Sequence, residues 1–77
     1  MSDLPVTEVD ACGLDCPMPL LKAKRALNTL CSGERLLVRA TDRGSQRDFQ
    51  VFAEQSGHKL LSAEVDGEVY SYLLQKR

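Results

Sequence analysis

The residues best suited to chemistry stand together near the start of the chain, in Gly13-Leu14-Asp15-Cys16-Pro17-Met18-Pro19. Cys16 is the nucleophile of this group. A thiol reacts as its thiolate, and a helix N-terminus favours that anion through the helix dipole and the free backbone N–H groups. Cys16 reads as the N-cap and Pro17 as the first helical residue, where its fixed φ suits the helix and its missing N–H costs nothing. Pro19 is then the third helical residue, still within the tolerated first turn. The prolines remove donors, which leaves the Met18 N–H as the expected partner of the Cys16 sulfur. Asp15 opposes the dipole, whose effect at an exposed site is only ~0.3–1 kcal/mol. The net expectation is a modest lowering of the Cys16 pKa.

Pro19 occupies the place of the second thiol in a Cys-x-x-Cys site, the thiol that resolves mixed disulfides. Without it, Cys16 can accept a sulfur atom and hand it on, but is poorly built to cycle a dithiol. The residues alone leave a plainer alternative open, in which Cys16 is a small, partly buried side chain at a proline-rich helix start. Cys12 reads first as a small residue finishing a strand. Its sharper role is that of a second thiol, able to discharge sulfur from Cys16 or to bridge to it, for which the Cα atoms must lie ~4.4–6.8 Å apart. Cys31 reads as a boundary residue at the end of the first helix. His58 is the single histidine, and one histidine with three scattered cysteines has no recognised zinc spacing. A Cys–His pair requires the fold to bring His58 to Cys16.

The elements that must position these groups follow from periodicity. Residues 6–11 form a short β-rich run, and residues 17–31 repeat apolar groups at Leu20, Ala23, Leu27 and Leu30 with a helical period. Leu36-Leu37-Val38 centres a more buried second strand. After a turn at Asp42–Gly44, Ser45 and Asp48 have the spacing of an approximate capping box, and Phe49, Phe52 and Ala53 give the second helix an apolar face. Gly57 ends that helix. Residues 59–65 and 68–75 read as two strands joined by an Asp66-Gly67 hairpin turn. The order β-α-β-α-β-β predicts an α/β (α+β) two-layer sandwich, a four-stranded mixed sheet covered on one face by two helices. The chain of 77 residues is read as one domain, 1–77.

Ten Lys and Arg against eleven Asp and Glu give a net charge of −1. That balance weighs against direct nucleic-acid binding, which calls for a basic surface. No apolar run approaches the ~18 residues of a membrane span, and the acidic N-terminal stretch lacks the apolar core of a secretory signal. The odd number of cysteines fits a reducing, cytoplasmic setting, and a monomer is the expected state. Lys22, Lys24, Arg25, Arg39, Arg43 and Arg47 read as a solvated face or, if gathered, as a docking surface for acidic proteins. Met18, between the prolines, is expected to be exposed as an apolar contact for a partner.

The stretch from Asp10 to Lys22, "DACGLDCPMPLLK", resembles the TusA/SirA family of small sulfur-carrier proteins, with the Cys-Pro-x-Pro motif at the junction of first strand and first helix. "GERLLVRATD", Gly44-Ser45, "GHKLL" and "YSYLLQK" extend the resemblance over nearly the whole chain. Arg43 departs from the Asp-Pro-Gly-Ser pattern common before the second helix. The resemblance implies the β-α-β-α-β-β fold and a sulfane sulfur carried as a persulfide on Cys16, as in tRNA thiolation or other sulfur trafficking. It implies a cysteine desulfurase or rhodanese-like protein as sulfur donor, a downstream sulfur-acceptor protein, and no metal or organic cofactor. Such a protein is a persulfide relay of sulfurtransferase type rather than a stand-alone enzyme. A second class of function is a non-catalytic regulatory or RNA-binding module, since the fold is shared with a translation-factor domain. The chain lacks the aromatic platform that RNA stacking uses.

Overall fold

Alternation decides where the second strand sits. Leu36, Val38 and Ala40 are fully buried while Arg35, Leu37 and Arg39 between them are half-buried, as a strand with one face on a core requires. The computed structural model of the chain describes residues 6–77. In chain order its elements are β1 (Val6–Ala11), α1 (Met18–Leu27), β2 (Arg35–Ala40), α2 (Ser45–Ser56), β3 (Lys59–Asp66) and β4 (Val69–Gln75).

The four strands lie in the order β1-β2-β4-β3. β1 pairs with β2 in parallel, Val9 opposite Val38 and Ala11 opposite Ala40. β4 runs antiparallel to both β2 and β3. β2 and β3 therefore point the same way, as a β-α-β passage favours, but β4 has been inserted between them. The α+β sandwich with a mixed sheet is thus the observed architecture. α1 lies over β1 and β2, and α2 over β3 and β4. Ala23 and Leu27 of α1 and Phe49 of α2 close the core against Leu36, Val38, Tyr72 and Leu74. The Phe49 and Tyr72 rings stack at 4.5 Å between centroids.

Two boundaries differ from the sequence reading. The first helix was expected to run to residue 31, and it ends at Leu27. Beyond it the Thr29 N–H and hydroxyl both donate to the Ala26 carbonyl, and the Leu30 N–H donates to Leu27. These tighter bonds take up carbonyls that another helical turn would need. Leu30 nevertheless packs on the core, which is why it kept the helical period. In the hairpin, Asp66 pairs with Val69, so the two-residue turn is Gly67-Glu68 rather than Asp66-Gly67. Gly67 alone has a positive φ there, +63°, the pattern of a type II′ turn with glycine first.

β1 and β2 are parallel neighbours, each followed by a helix. The N-termini of α1 and α2 therefore emerge side by side at the carboxyl ends of these strands, where open α/β sheets commonly place their ligand sites.

Candidate functional site

The segment between β1 and α1 is held by a series of backbone bonds on either side of Cys16. The Cys12 N–H donates to Asp10 Oδ1 at 3.0 Å, and the Gly13 N–H to Thr41 Oγ1 at 2.8 Å. Gly13 adopts φ +80°, a conformation that favours glycine. The Leu14 N–H donates to the Ala11 carbonyl, and Leu14 packs against the core. The Cys16–Pro17 peptide bond is cis. The Pro19 ring is fully buried beneath the turn. Cys16 is thus an exposed thiol on a backbone pinned from both sides.

The cap differs from the sequence expectation. The helix starts at Met18, so Pro17 is the N-cap and Pro19 the second helical residue, with no side-chain cap bond. The Met18 N–H donates to the Asp15 carbonyl at 2.8 Å and is not the partner of the sulfur. That partner lies on the other helix. The Cys16 S–H donates to Asp48 Oδ2 at 2.8 Å, across 32 residues of chain.

This contact reverses the electrostatic expectation. The hydrogen bond to the Asp48 carboxylate holds the Cys16 thiol above its ordinary pKa, with further contributions from desolvation and from the charges of Asp48 and Asp42. A donor in contact with an anion keeps its proton. The opposing acid is therefore Asp48 rather than Asp15. The capping box is not formed either. Gly44 is the N-cap of α2, and the Ser45 hydroxyl turns inward, donating to the Asp42 carbonyl at 2.6 Å. That leaves the Tyr72 hydroxyl, 2.6 Å away, to donate to Ser45 Oγ. With Ser45 so engaged, Asp48 is free to face Cys16.

Beside this pair a groove of about 340 Å³ runs between the helices, lined by Leu20, Lys24, Arg47, Asp48 and Phe52 among others. The Lys24 ammonium lies 5.5 Å from the centre of the Phe52 ring. The basic residues do not gather on one face. Lys24 and Arg47 line the groove, whereas Arg39 alternates to the open face of the sheet and pairs with Glu8 at 2.8 Å. Met18 is exposed as expected, and so is Leu21 one turn on.

The other candidates make no bond to Cys16. Cys12 is not the last residue of β1, which ends at Ala11, but lies exposed in the following turn. Burial and a hydrogen bond to Asp10 push its thiol pKa up. Cys31 is exposed beyond α1, its N–H bonded to Glu34. All three cysteines are free. His58 sits at the far end of α2, where its Nδ1 accepts the Arg77 N–H at 3.1 Å. Among the described residues no three His, Cys, Asp or Glu side chains are grouped to hold a metal ion. No helix among them is long and apolar enough to cross a membrane.

The sequence reading missed Asp48 as a neighbour of Cys16. The signal was present in the topology: parallel β1 and β2 bring both helix N-termini to one end, and Asp48 stands in the first turn of α2.

The family model described as sulfurtransferase TusA matches residues 7–76. The chain belongs to the TusA family. Within it, the chain is 46% identical over 69 residues to the sulfur carrier protein TusA of Allochromatium vinosum, a match covering 90% of this chain and 91% of that protein. The crystal structure of a SirA-like protein from Desulfitobacterium hafniense superposes with a TM-score of 0.79 at 29% identity, covering 92% of this chain and 96% of the other. The TusA-like fold read from the sequence is the fold observed.

Proposed function

We propose that this TusA-family sulfur carrier holds its cargo on Cys16 as a persulfide and passes it from a donor protein to an acceptor protein. The observation that carries this reading is an exposed thiol on a turn held by backbone bonds on either side of it, with Pro19 rather than a cysteine at the resolving position. In loading, Cys16 sulfur bonds to the outer sulfur of a donor persulfide. The donor S–S bond breaks, its electron pair leaves with the donor's inner sulfur, and that sulfur takes up the proton Cys16 gives up. In unloading, an acceptor thiolate attacks the outer sulfur and Cys16 departs as a thiolate. The sulfur changes hands with no net oxidation.

The donor is a cysteine desulfurase or a rhodanese-like protein, and the acceptor is a downstream protein thiol, as in tRNA thiolation or sulfur trafficking. Met18 and Leu21, each 45% exposed beside the thiol, offer apolar contact to both partners. Gly13, Asp15 and Pro17 shape the turn that presents the sulfur. Cys12 is the candidate second thiol, able to drain a loaded Cys16.

Intact mass spectrometry tests the reading. With a desulfurase and cysteine, or a rhodanese and thiosulfate, the chain should gain one sulfur, about 32 Da, and Cys16→Ser should abolish the gain. An unchanged mass with every donor would instead point to a non-catalytic binding module.

A further inference from the structure

We propose that Asp48 is the positioning residue of this carrier: its carboxylate holds the empty Cys16 as a neutral, oriented thiol and opposes the sulfur once it is loaded. The inference rests on the reading that Cys16 carries the sulfur. The contact is tertiary, from the β1–α1 turn to the first turn of α2, and it spans 2.8 Å. The carboxylate is itself well placed. The Asp48 N–H donates to the Gly44 carbonyl at 3.1 Å, and its neighbour Phe49 is fully buried under the helix. Asp48 is anchored by backbone and core, and its side chain reaches outward to the sulfur.

The charged groups around this sulfur are Asp15 on its own turn, Asp42 in the β2–α2 loop and Asp48 on α2. Lys24 of α1 and Arg47 of α2 line the groove beside Asp48. In the empty carrier the S–H donates to Asp48, so the proton has a partner and the sulfur a fixed direction. A small electrophile meets a neutral thiol, which is a poor nucleophile. Loading removes that proton to the donor's inner sulfur, as written above. Cys16 Sγ is then bonded to carbon and to the outer sulfur, and has no hydrogen to give. The carboxylate now faces lone pairs and, when the outer sulfur is ionised, a like charge. The hydrogen bond that held the empty state is absent from the loaded one. Asp48 thereby favours return to the empty thiol and directs the outer sulfur away from α2, towards a docked acceptor.

The test is the pH profile of Cys16 alkylation by iodoacetamide in the full chain, with Cys12→Ser and Cys31→Ser in the background to remove the other exposed thiols. Asp48→Asn should move the midpoint to lower pH and raise the rate near pH 7 by roughly three- to tenfold, since one pKa unit is tenfold in thiolate fraction. Asp48→Ala should move it the same way, which guards against a folding fault in either variant. Asp42→Asn, which removes a charge but no hydrogen bond to the sulfur, should move it less. An Asp48→Asn midpoint that is unchanged or higher would overturn the proposal, as would an Asp42→Asn shift of equal size. Loading is followed separately by mass. If the parent chain gains no sulfur from any donor, the carrier reading fails; if it gains sulfur and the alkylation profile ignores Asp48, only this inference fails.

Discussion

At its first turn α2 meets Cys16; at its last it meets His58 and Arg77. The near end carries a buried anchor and an outward acid: Ser45 is locked to Asp42 and Tyr72, while Asp48 reaches the sulfur. The far end closes on the chain itself. The Gly57 N–H donates to Ala53, the His58 ring leans on Phe52 at 5.6 Å, and His58 Nδ1 accepts the Arg77 N–H. Ten residues separate Asp48 from His58, a rise of about 15 Å along a helix. The single imidazole and the Cys16 thiol therefore sit at opposite ends of α2 and form no pair. One helix thus supplies both a functional and a purely structural terminus, and the difference lies in what remains unspent. At the near end the Asp48 carboxylate reaches outward after the backbone has been satisfied, while Asp42 Oδ2 stays buried without a hydrogen-bond partner.

The sharpest way to break this comparison is Ser45→Ala. It removes a buried hydroxyl and leaves the Tyr72 hydroxyl without its acceptor, a loss of about 1–3 kcal/mol. In a domain of this size each 1 kcal/mol lowers Tm by roughly 4–8 °C. Because Ser45 seats the turn that carries Asp48, the alkylation rate of Cys16 should change as well. A variant with unaltered melting would show that Ser45 is not the anchor of the near end.

Gly57→Ala is the matching change at the far end and a smaller one. Gly57 has φ +84°, where an added Cβ costs roughly 1–2 kcal/mol. The new methyl would meet Arg77 Cδ at 3.2 Å, the flexible part of a side chain that can move aside. The backbone term therefore dominates, and a loss near the lower end, about 1 kcal/mol, is expected from thermal melts. Cys16 alkylation should be unaffected. If it changes, the two ends communicate and the contrast between them is false.

Much of this arrangement was legible from the chain alone, and what escaped has a common cause. The helical period of Leu20, Ala23 and Leu27 and the apolar run Leu36-Leu37-Val38 are local patterns, and they specified elements of the right type in the right order, though only the structure shows that Leu37 is half-buried between two buried neighbours. Cys16 stood out because Pro17 and Pro19 constrain their own neighbourhood. Asp48 did not, because its role is set by a residue 32 positions away and by the parallel pairing of β1 with β2. Read locally, Ser45 and Asp48 looked like a cap. In the folded chain Tyr72 claims the serine and Cys16 the aspartate. The placement of β4 between β2 and β3 is likewise non-local, since no pattern within a strand names its neighbours.

The smallest effects should have opposite signs with pH at the two ends. Burial, with the charges of Lys76 and Arg77 nearby, lowers the His58 pKa below its ordinary value. The unfolded chain then binds the proton first, so this group's contribution is complete above the unfolded pKa, about 6.5, and is lost as pH falls towards the folded value. Cys16 behaves in reverse. Its raised pKa makes the unfolded chain lose the proton first, so its contribution is complete below the unfolded pKa, about 8.5, and is lost as pH climbs towards the folded value. Denaturant midpoints measured across pH should therefore decline gently on both sides of neutrality. His58→Gln should flatten the mildly acidic limb alone, and Cys16→Ser should make the alkaline limb alone shallower, with the raised Cys12 and Tyr72 groups keeping the rest of it. Both groups are accessible enough to solvent that each slope should be shallow. A Cys16→Ser chain that keeps its full alkaline decline would show that the Asp48 contact has no hold on the folded state, whatever it does to reactivity.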